Sequence, residues 1–190
     1  MDEIRPSFER LLAALKHHDI PYAVGGSLAS SVHGVPRSTV DIDLVVEMKQ
    51  AQVRDFVAEL WGVFYADEEM IRSALEGKRS FNLIDLATGY KFDLFPLPDG
   101  VYYQTEFQRR AEVEYALGNR LLRFSVVSPE DSILTKLVGF RAGREVADRQ
   151  WSDVRGIMEV QGERLDRSYL ERWGRHLDVA DLVMRLLAEG

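Results

Sequence analysis

With 190 residues and a hydrophobic content of 46%, the chain has the size of one ordinary domain and enough apolar material for a packed core. A net charge of −7 weighs against an extended nucleic-acid footprint, which needs many Lys and Arg contacts to phosphate, but leaves room for a small basic pocket. Cysteine is absent, which excludes disulfides and thiolate zinc sites; the start Met1-Asp2-Glu3-Ile4-Arg5-Pro6 has no apolar signal core, and no stretch approaches the roughly 20 apolar residues of a membrane span. The expectation is a soluble, cytoplasmic protein without a membrane partner.

Behind Pro6, well suited to a first helical turn, Phe8, Leu11, Leu12 and Leu15 recur at helical spacing and predict an amphipathic helix over 6–18. Tyr22-Ala23-Val24 reads as a short apolar strand, Gly25-Gly26-Ser27 as a turn, and Leu28 to Val32 as a short helix ending at His33-Gly34. Val40 to Val46 is the second strand, 49–61 carries Val53, Phe56, Val57 and Leu60 at helical intervals, and a third helix covers 67–76. Two β-rich runs, 80–86 and 90–97, flank Ala87-Thr88-Gly89 as a hairpin, and a second hairpin joins Val113–Leu117 to Leu121–Val127 through Gly118-Asn119. Ser128-Pro129-Glu130-Asp131 combines an N-cap serine, an N1 proline and first-turn acids, and from there to Gly190 the pattern is helical. The boundary is placed near 128, with 1–127 as a core and 128–190 as a helical portion packed on it in a single folding unit.

Asp41 and Asp43 carry the strongest chemical signal. Side chains alternate across a strand, so these acids project from one face while Val40, Ile42 and Leu44 take the other. Two like charges held close raise each other's pKa unless a cation joins them, and an oxygen-only ligand set favours magnesium or manganese over zinc. The two glycines upstream let backbone approach a ligand closely, and Ser27 offers a hydroxyl and an amide at a helix start, which suits a phosphate. Taken alone, such a turn is more often simple chain geometry than a ligand site. The spacing strengthens it, because turn, short helix and acidic strand in succession bring phosphate-binding amides and carboxylates toward one sheet edge.

Gly26-Ser27, thirteen intervening residues, then Asp41-Ile42-Asp43-Leu44 resembles the signature of the polymerase-beta-like nucleotidyltransferase superfamily. The longer run Gly25-Gly26-Ser27 … His33-Gly34 … Arg37-Ser38-Thr39-Val40-Asp41-Ile42-Asp43-Leu44 is similar to its abortive-infection and toxin–antitoxin-type branch. The resemblance covers residues 22–46 most strongly. It implies an α+β fold, a nucleotidyltransferase-like mixed sheet flanked by helices, with 1–127 as the catalytic core. It also implies two Mg2+ (or Mn2+) ions, a nucleoside triphosphate donor such as ATP, and transfer of the nucleotidyl group to an acceptor hydroxyl with loss of pyrophosphate. The acceptor is left open among an RNA end, a protein and a small molecule. A nucleotide-binding, non-catalytic antitoxin-like or regulatory module, with a protein partner of toxin–antitoxin type, is the alternative.

The same resemblance assigns a third acid to a neighbouring strand. Phe92-Asp93-Leu94-Phe95 fits it, with Asp93 to ligate metal and help deprotonate the acceptor while Asp41 and Asp43 bridge both ions; Asp85, in the other hairpin arm, is the competitor. Ser128 to Leu137 is similar to the segment that presents a nucleotide-contacting lysine, which makes Lys136 a candidate, although a lysine on an amphipathic helix is by default solvated. Asp148 to Val154 resembles a charged stretch packing back toward the site, against which Asp153 and Arg149 read equally as a surface ion pair. Arg37 either binds donor phosphates or pairs with Asp41. His33 reads as a helix-end residue rather than a base, and His17 and His18 as helix-end residues with no ligand set nearby. Trp61, Trp151 and Trp173 read as core or interhelical filler, and Thr39 either bonds at the strand edge or serves β propensity.

Overall fold

The computed structural model describes residues 3–39, 41–146 and 148–189, with Asp148 described by its backbone alone; Val40, assigned above to the apolar face of the second strand, lies outside the described residues. In chain order the helices and strands begin with α1 (Arg5–His17), β1 (Tyr22–Val24), α2 (Gly26–His33), β2 (Asp41–Val46), α3 (Val53–Leu60), β3 (Phe64–Tyr65), α4 (Glu68–Glu76), β4 (Phe81–Asp85) and β5 (Lys91–Pro96). They continue with α5 (Val101–Gln108), β6 (Ala111–Leu117), β7 (Arg120–Val126), α6 (Pro129–Ala142), α7 (Asp148–Gln161), α8 (Arg167–His176) and α9 (Ala180–Glu189). The two-residue strand β3 and the helix α5 have no counterpart in the sequence reading. β3 is too short to show periodicity, and α5 has almost no separation of polar and apolar faces.

The chain folds as two compact units. One takes the chain up to Val24 together with Ser38–Val126; the other takes Gly25–Arg37 and the chain from Val127 on. The glycine turn and α2 are therefore grouped with the C-terminal helices rather than with the strands on either side of them.

The first unit is built on a mixed sheet in the order β3-β4-β5-β2-β1-β7-β6. β2 runs parallel to β5 and antiparallel to β1, β1 runs parallel to β7, and β3/β4, β4/β5 and β6/β7 are antiparallel pairs. One face of the sheet is apolar and covered: Phe8 of α1 stacks on Phe92 of β5 at 6.0 Å and meets Phe124 of β7 at 5.5 Å, all three fully buried. Burying aromatic rings of this size supplies much of the driving force for closing α1 onto the strands. α1 stops where Asp19 enters the left-handed region at φ 50°, and the amides of Asp19 and Ile20 return to the carbonyls of Lys16 and Leu15. That pattern closes the helix C-terminus with Ile20 buried against the core.

The second unit is helical among its described residues. Ser128 caps α6 by accepting a hydrogen bond from the Asp131 amide at 3.1 Å, with Pro129 in the first turn, which is why this run opens a helix. α2 packs on α7 at unusually short range, because Gly34 and Gly156 remove side chains at the crossing: a Cβ at Gly34 would lie 2.6 Å from the backbone nitrogen of Ile157. No helix among the described residues is long and apolar enough to cross a membrane.

Candidate functional site

β2 alternates as its sequence pattern requires. Ile42, Leu44 and Val46 are buried, while Asp41 and Asp43 stand half-buried on the opposite face. Along β5, Phe92 and Leu94 are buried and Lys91 and Asp93 face the other way. The parallel register sets Asp41 beside Lys91 and Asp43 beside Asp93. Strands paired in this way lie about 4.8 Å apart, so three carboxylates and one ammonium share a small patch of one sheet face. Thr39 steadies its edge, donating to the Asp41 backbone oxygen at 2.9 Å and to the Asp41 carboxylate at 3.2 Å.

The ammonium of Lys91 lies 2.8 Å from Oδ2 of Asp93. Its pKa is raised, first by the hydrogen bond to Asp93, against slight desolvation, and then by the charges of Asp93, Asp41 and Asp43. The Lys91 ammonium thus pairs with Asp93 and feels the charges of Asp41 and Asp43, which shows the sign of the local field. The donor set is all oxygen, the kind that suits a hard divalent cation. Lys91 is missing from the sequence reading, although the period-two pattern that singles out Asp93 also places the residue two before it on the same face.

Asp85 lies elsewhere. It shares the buried face of β4 with Phe81 and Leu83, while Asn82 is the residue that registers with Asp93. Its carboxylate accepts hydrogen bonds from the hydroxyl of Ser7, from Thr88 at 2.6 Å and from the Ala87 amide at 2.9 Å. Burial pushes this carboxyl up, but these donors outweigh it and hold the pKa below the usual range. The residue ties the hairpin turn to α1.

In the second unit, Gly25 is the extended N-cap of α2 and Gly26 takes φ 57°, a left-handed conformation that favours glycine. Ser27 Oγ accepts a hydrogen bond from Arg37 Nη2 at 2.6 Å. The guanidinium of Arg37 also grips both oxygens of Asp153, at 2.7 and 2.9 Å, and Lys136 Nζ reaches Oδ2 of the same carboxylate at 2.8 Å. Asp153 and Lys136 are buried. Burial alone raises the Asp153 pKa, but the hydrogen bonds from Arg37 and Lys136 and their charges overcome it and lower the net value. Ser27, Arg37 and Lys136, separate candidates in the sequence, are thus brought together around Asp153.

Several solved structures resemble this chain, among them the following two. A crystal structure of ANT(2")-Ia in complex with adenylyl-2"-tobramycin matches with a TM-score of 0.52 at 16% identity, covering 100% of this chain and 99% of that one. An antigenic nucleotidyltransferase-like protein from Paracoccidioides brasiliensis matches with a TM-score of 0.50 at 15% identity, covering 96% of this chain and 93% of that one. The fold is a nucleotidyltransferase fold. No protein-family model matches the sequence, and no curated protein does.

Within this nucleotidyltransferase fold, three readings from sequence are corrected. Asp153 does not form a helix-surface pair with Arg149; it is buried, with Arg37 and Lys136 as partners, and Arg149 is exposed. Trp61 is no core filler but 84% exposed, since Leu60 takes the last inward position of α3 and the chain then turns out through Gly62. Trp173 is buried, and Trp151 packs on Phe140 at 5.4 Å beneath Arg185. The third correction concerns His17 and His18, which do have a ligand partner: Glu59 of α3 approaches both rings. Spacing along α1 could not reveal a residue 42 positions away. His33 is a helix-end strap, with Nε2 2.7 Å from the Val127 carbonyl oxygen. Burial, outweighing that hydrogen bond, lowers its pKa and favours the neutral ring.

Proposed function

We propose that the protein is a nucleotidyltransferase that moves a nucleoside monophosphate from a nucleoside triphosphate to an acceptor hydroxyl, releasing pyrophosphate. The observation that carries this reading is that Asp41, Asp43 and Asp93 share one face of the parallel pair β2 and β5, with Asp43 in register with Asp93, in a nucleotidyltransferase fold. Asp41 and Asp43 are the proposed ligands of two divalent ions, magnesium or manganese, and Asp93 is the third. When bound, such ions stabilise the entering and departing oxygens of an in-line displacement at phosphorus.

The chain's own groups supply the rest. Asp93 is the proposed acceptor of the proton leaving the attacking hydroxyl. The amides of Gly26 and Ser27 at the start of α2 are offered to phosphate oxygens, where a helix N-terminus favours negative charge. Arg37 holds the Ser27 hydroxyl by donating to it, which leaves the serine proton free to donate in turn. Lys136 contributes through Asp153: it neutralises the carboxylate that orients Arg37.

For the acceptor we propose a hydroxyl of a small molecule. Two observations favour this choice over a long nucleic acid, namely the net charge of −7 and the adenylylated tobramycin in the complex of ANT(2")-Ia, a protein of the same fold. The test is pyrophosphate release from a panel of triphosphates and hydroxyl acceptors, with magnesium present or chelated. Asp41→Asn is expected to keep its circular dichroism and melting temperature while losing at least a thousandfold in turnover, the order attached to losing a principal charge-stabilising group. An Asp41→Asn protein as active as its parent would refute the assignment, and triphosphate binding without release in every pairing would favour the non-catalytic module.

A further inference from the structure

We infer that His17, His18 and Glu59 form a second cation site, specific for a borderline transition-metal ion of the zinc class and separate from the carboxylate face. The site lies at the junction of α1 and α3. Nδ1 of His17 is 2.7 Å from Oε2 of Glu59, Nε2 of His18 is 2.8 Å from the same oxygen, and the ligand atoms of all three residues lie within 4.8 Å of one another. Two imidazoles and one carboxylate are the donor types that zinc takes in three-ligand sites, with a fourth position left for water. Magnesium prefers oxygen alone.

Two features argue for a site rather than a chance ion pair. Nε2 of His18 is shut off from solvent and directed at Glu59 Oε2, the same oxygen that His17 Nδ1 approaches, so both imidazoles bear on one carboxylate oxygen. A buried nitrogen of that kind is costly unless something uses its lone pair or its proton. The donors are also held from behind. Gln52 donates to the His18 carbonyl at 2.7 Å, Arg10 donates to the Glu59 carbonyl at 3.2 Å, and the two imidazoles lie with centroids 4.9 Å apart at the end of α1. These contacts anchor the backbone from which the donor side chains project.

Geometry asks for little movement. Tetrahedral zinc with bonds of about 2.05 Å spaces its donors about 3.3 Å apart, so the nitrogens and the carboxylate must separate by about half an ångström. The His17 side chain, 73% exposed, can yield by that amount. Occupied, the site would cross-link the end of α1 to α3 within the first unit.

The experiment uses full-length protein without a polyhistidine tag, stripped with chelator and returned to excess magnesium so that oxygen sites are filled. ZnCl2 is then titrated calorimetrically, and CoCl2 is followed by its visible absorption, which is intense only for low-coordinate sites. The expected result is one equivalent of zinc, with a rise in melting temperature. Affinity should fall at least tenfold in His17→Ala and in Glu59→Gln, and Asp41→Asn should keep the equivalent. The exposed His17 makes its alanine variant a safe probe of binding rather than folding. Absence of the equivalent in the parent, retention of full affinity in His17→Ala, or its loss in Asp41→Asn would each overturn the inference. None of these outcomes bears on pyrophosphate release, so this site and the proposed transferase activity stand or fall separately.

Discussion

Asp153 is the residue on which the helical unit's polar interior turns. It takes three charged hydrogen bonds, two from Arg37 and one from Lys136, and is itself buried. Removing one partner of such a set strands the others: Asp153→Ala leaves the Lys136 ammonium buried without a counter-charge, which costs about 3–5 kcal/mol. Lys136→Met leaves Asp153 still paired with Arg37, so the loss is expected to be clearly smaller. Urea unfolding of the two variants checks the order, and equal losses would mean that Lys136 is relieved by something other than this carboxylate. The pair also separates two roles for Lys136. A lysine that acts through Asp153 should, as methionine, weaken triphosphate binding only as far as Ser27 and Arg37 lose their positions.

At the scale of elements, the crossing of α2 and α7 depends on backbone contact. Gly34 has an extended φ of −131°, so no conformational preference requires glycine there. The requirement is spatial: a Cβ would meet Ile157 N at 2.6 Å and Gly156 C at 2.7 Å, both backbone atoms that cannot swing aside. Gly34→Ala should therefore force the helices apart and cost about 3 kcal/mol, the upper end for overpacking. Gly25→Ala is the control. A Cβ there meets nothing within 4 Å and its φ of −121° is ordinary, so the loss should be no more than about 0.5–1 kcal/mol, that of exchanging a glycine N-cap for alanine. Thermal melts of the two variants decide the matter, and comparable stability would show that α2 has slack against α7.

For the molecule as a whole, acid should destabilise in two stages. His33 has its folded pKa below the ordinary 6.5, so the unfolded chain binds the proton more readily, and stability present above pH 6.5 is lost as the pH falls through the folded value. Asp85 and Asp153 have folded values below the ordinary 3.8, so their contributions are complete above that pH and disappear as the pH falls through the folded values. One carboxylate belongs to each unit, so both units share the steeper loss. Melting temperatures measured from pH 7 down to pH 2 should show a shallow decline below pH 6.5 and a steep one below pH 4. Asp85→Asn and Asp153→Asn, less stable at neutral pH, should each flatten the steep part; an unchanged acid limb would place the acid sensitivity in other groups.

What the sequence determined by itself was local and periodic. The alternation around Ile42 put Asp41 and Asp43 on one face, Ser128-Pro129 opened a helix, and Gly118-Asn119 turned a hairpin, because each of these depends only on near neighbours along the chain. Periodicity also marked both Asp85 and Asp93 as strand acids. It could not choose which of them stands beside Asp43, since that depends on the register of β5 against β2 and β4. The tertiary structure alone decided that Asp93 does, that Arg37 reaches an aspartate 116 positions away, and that Glu59 meets two histidines at the end of another helix. The reason is physical: a residue's own element fixes the direction it faces, while its partners come from whichever segment is packed there.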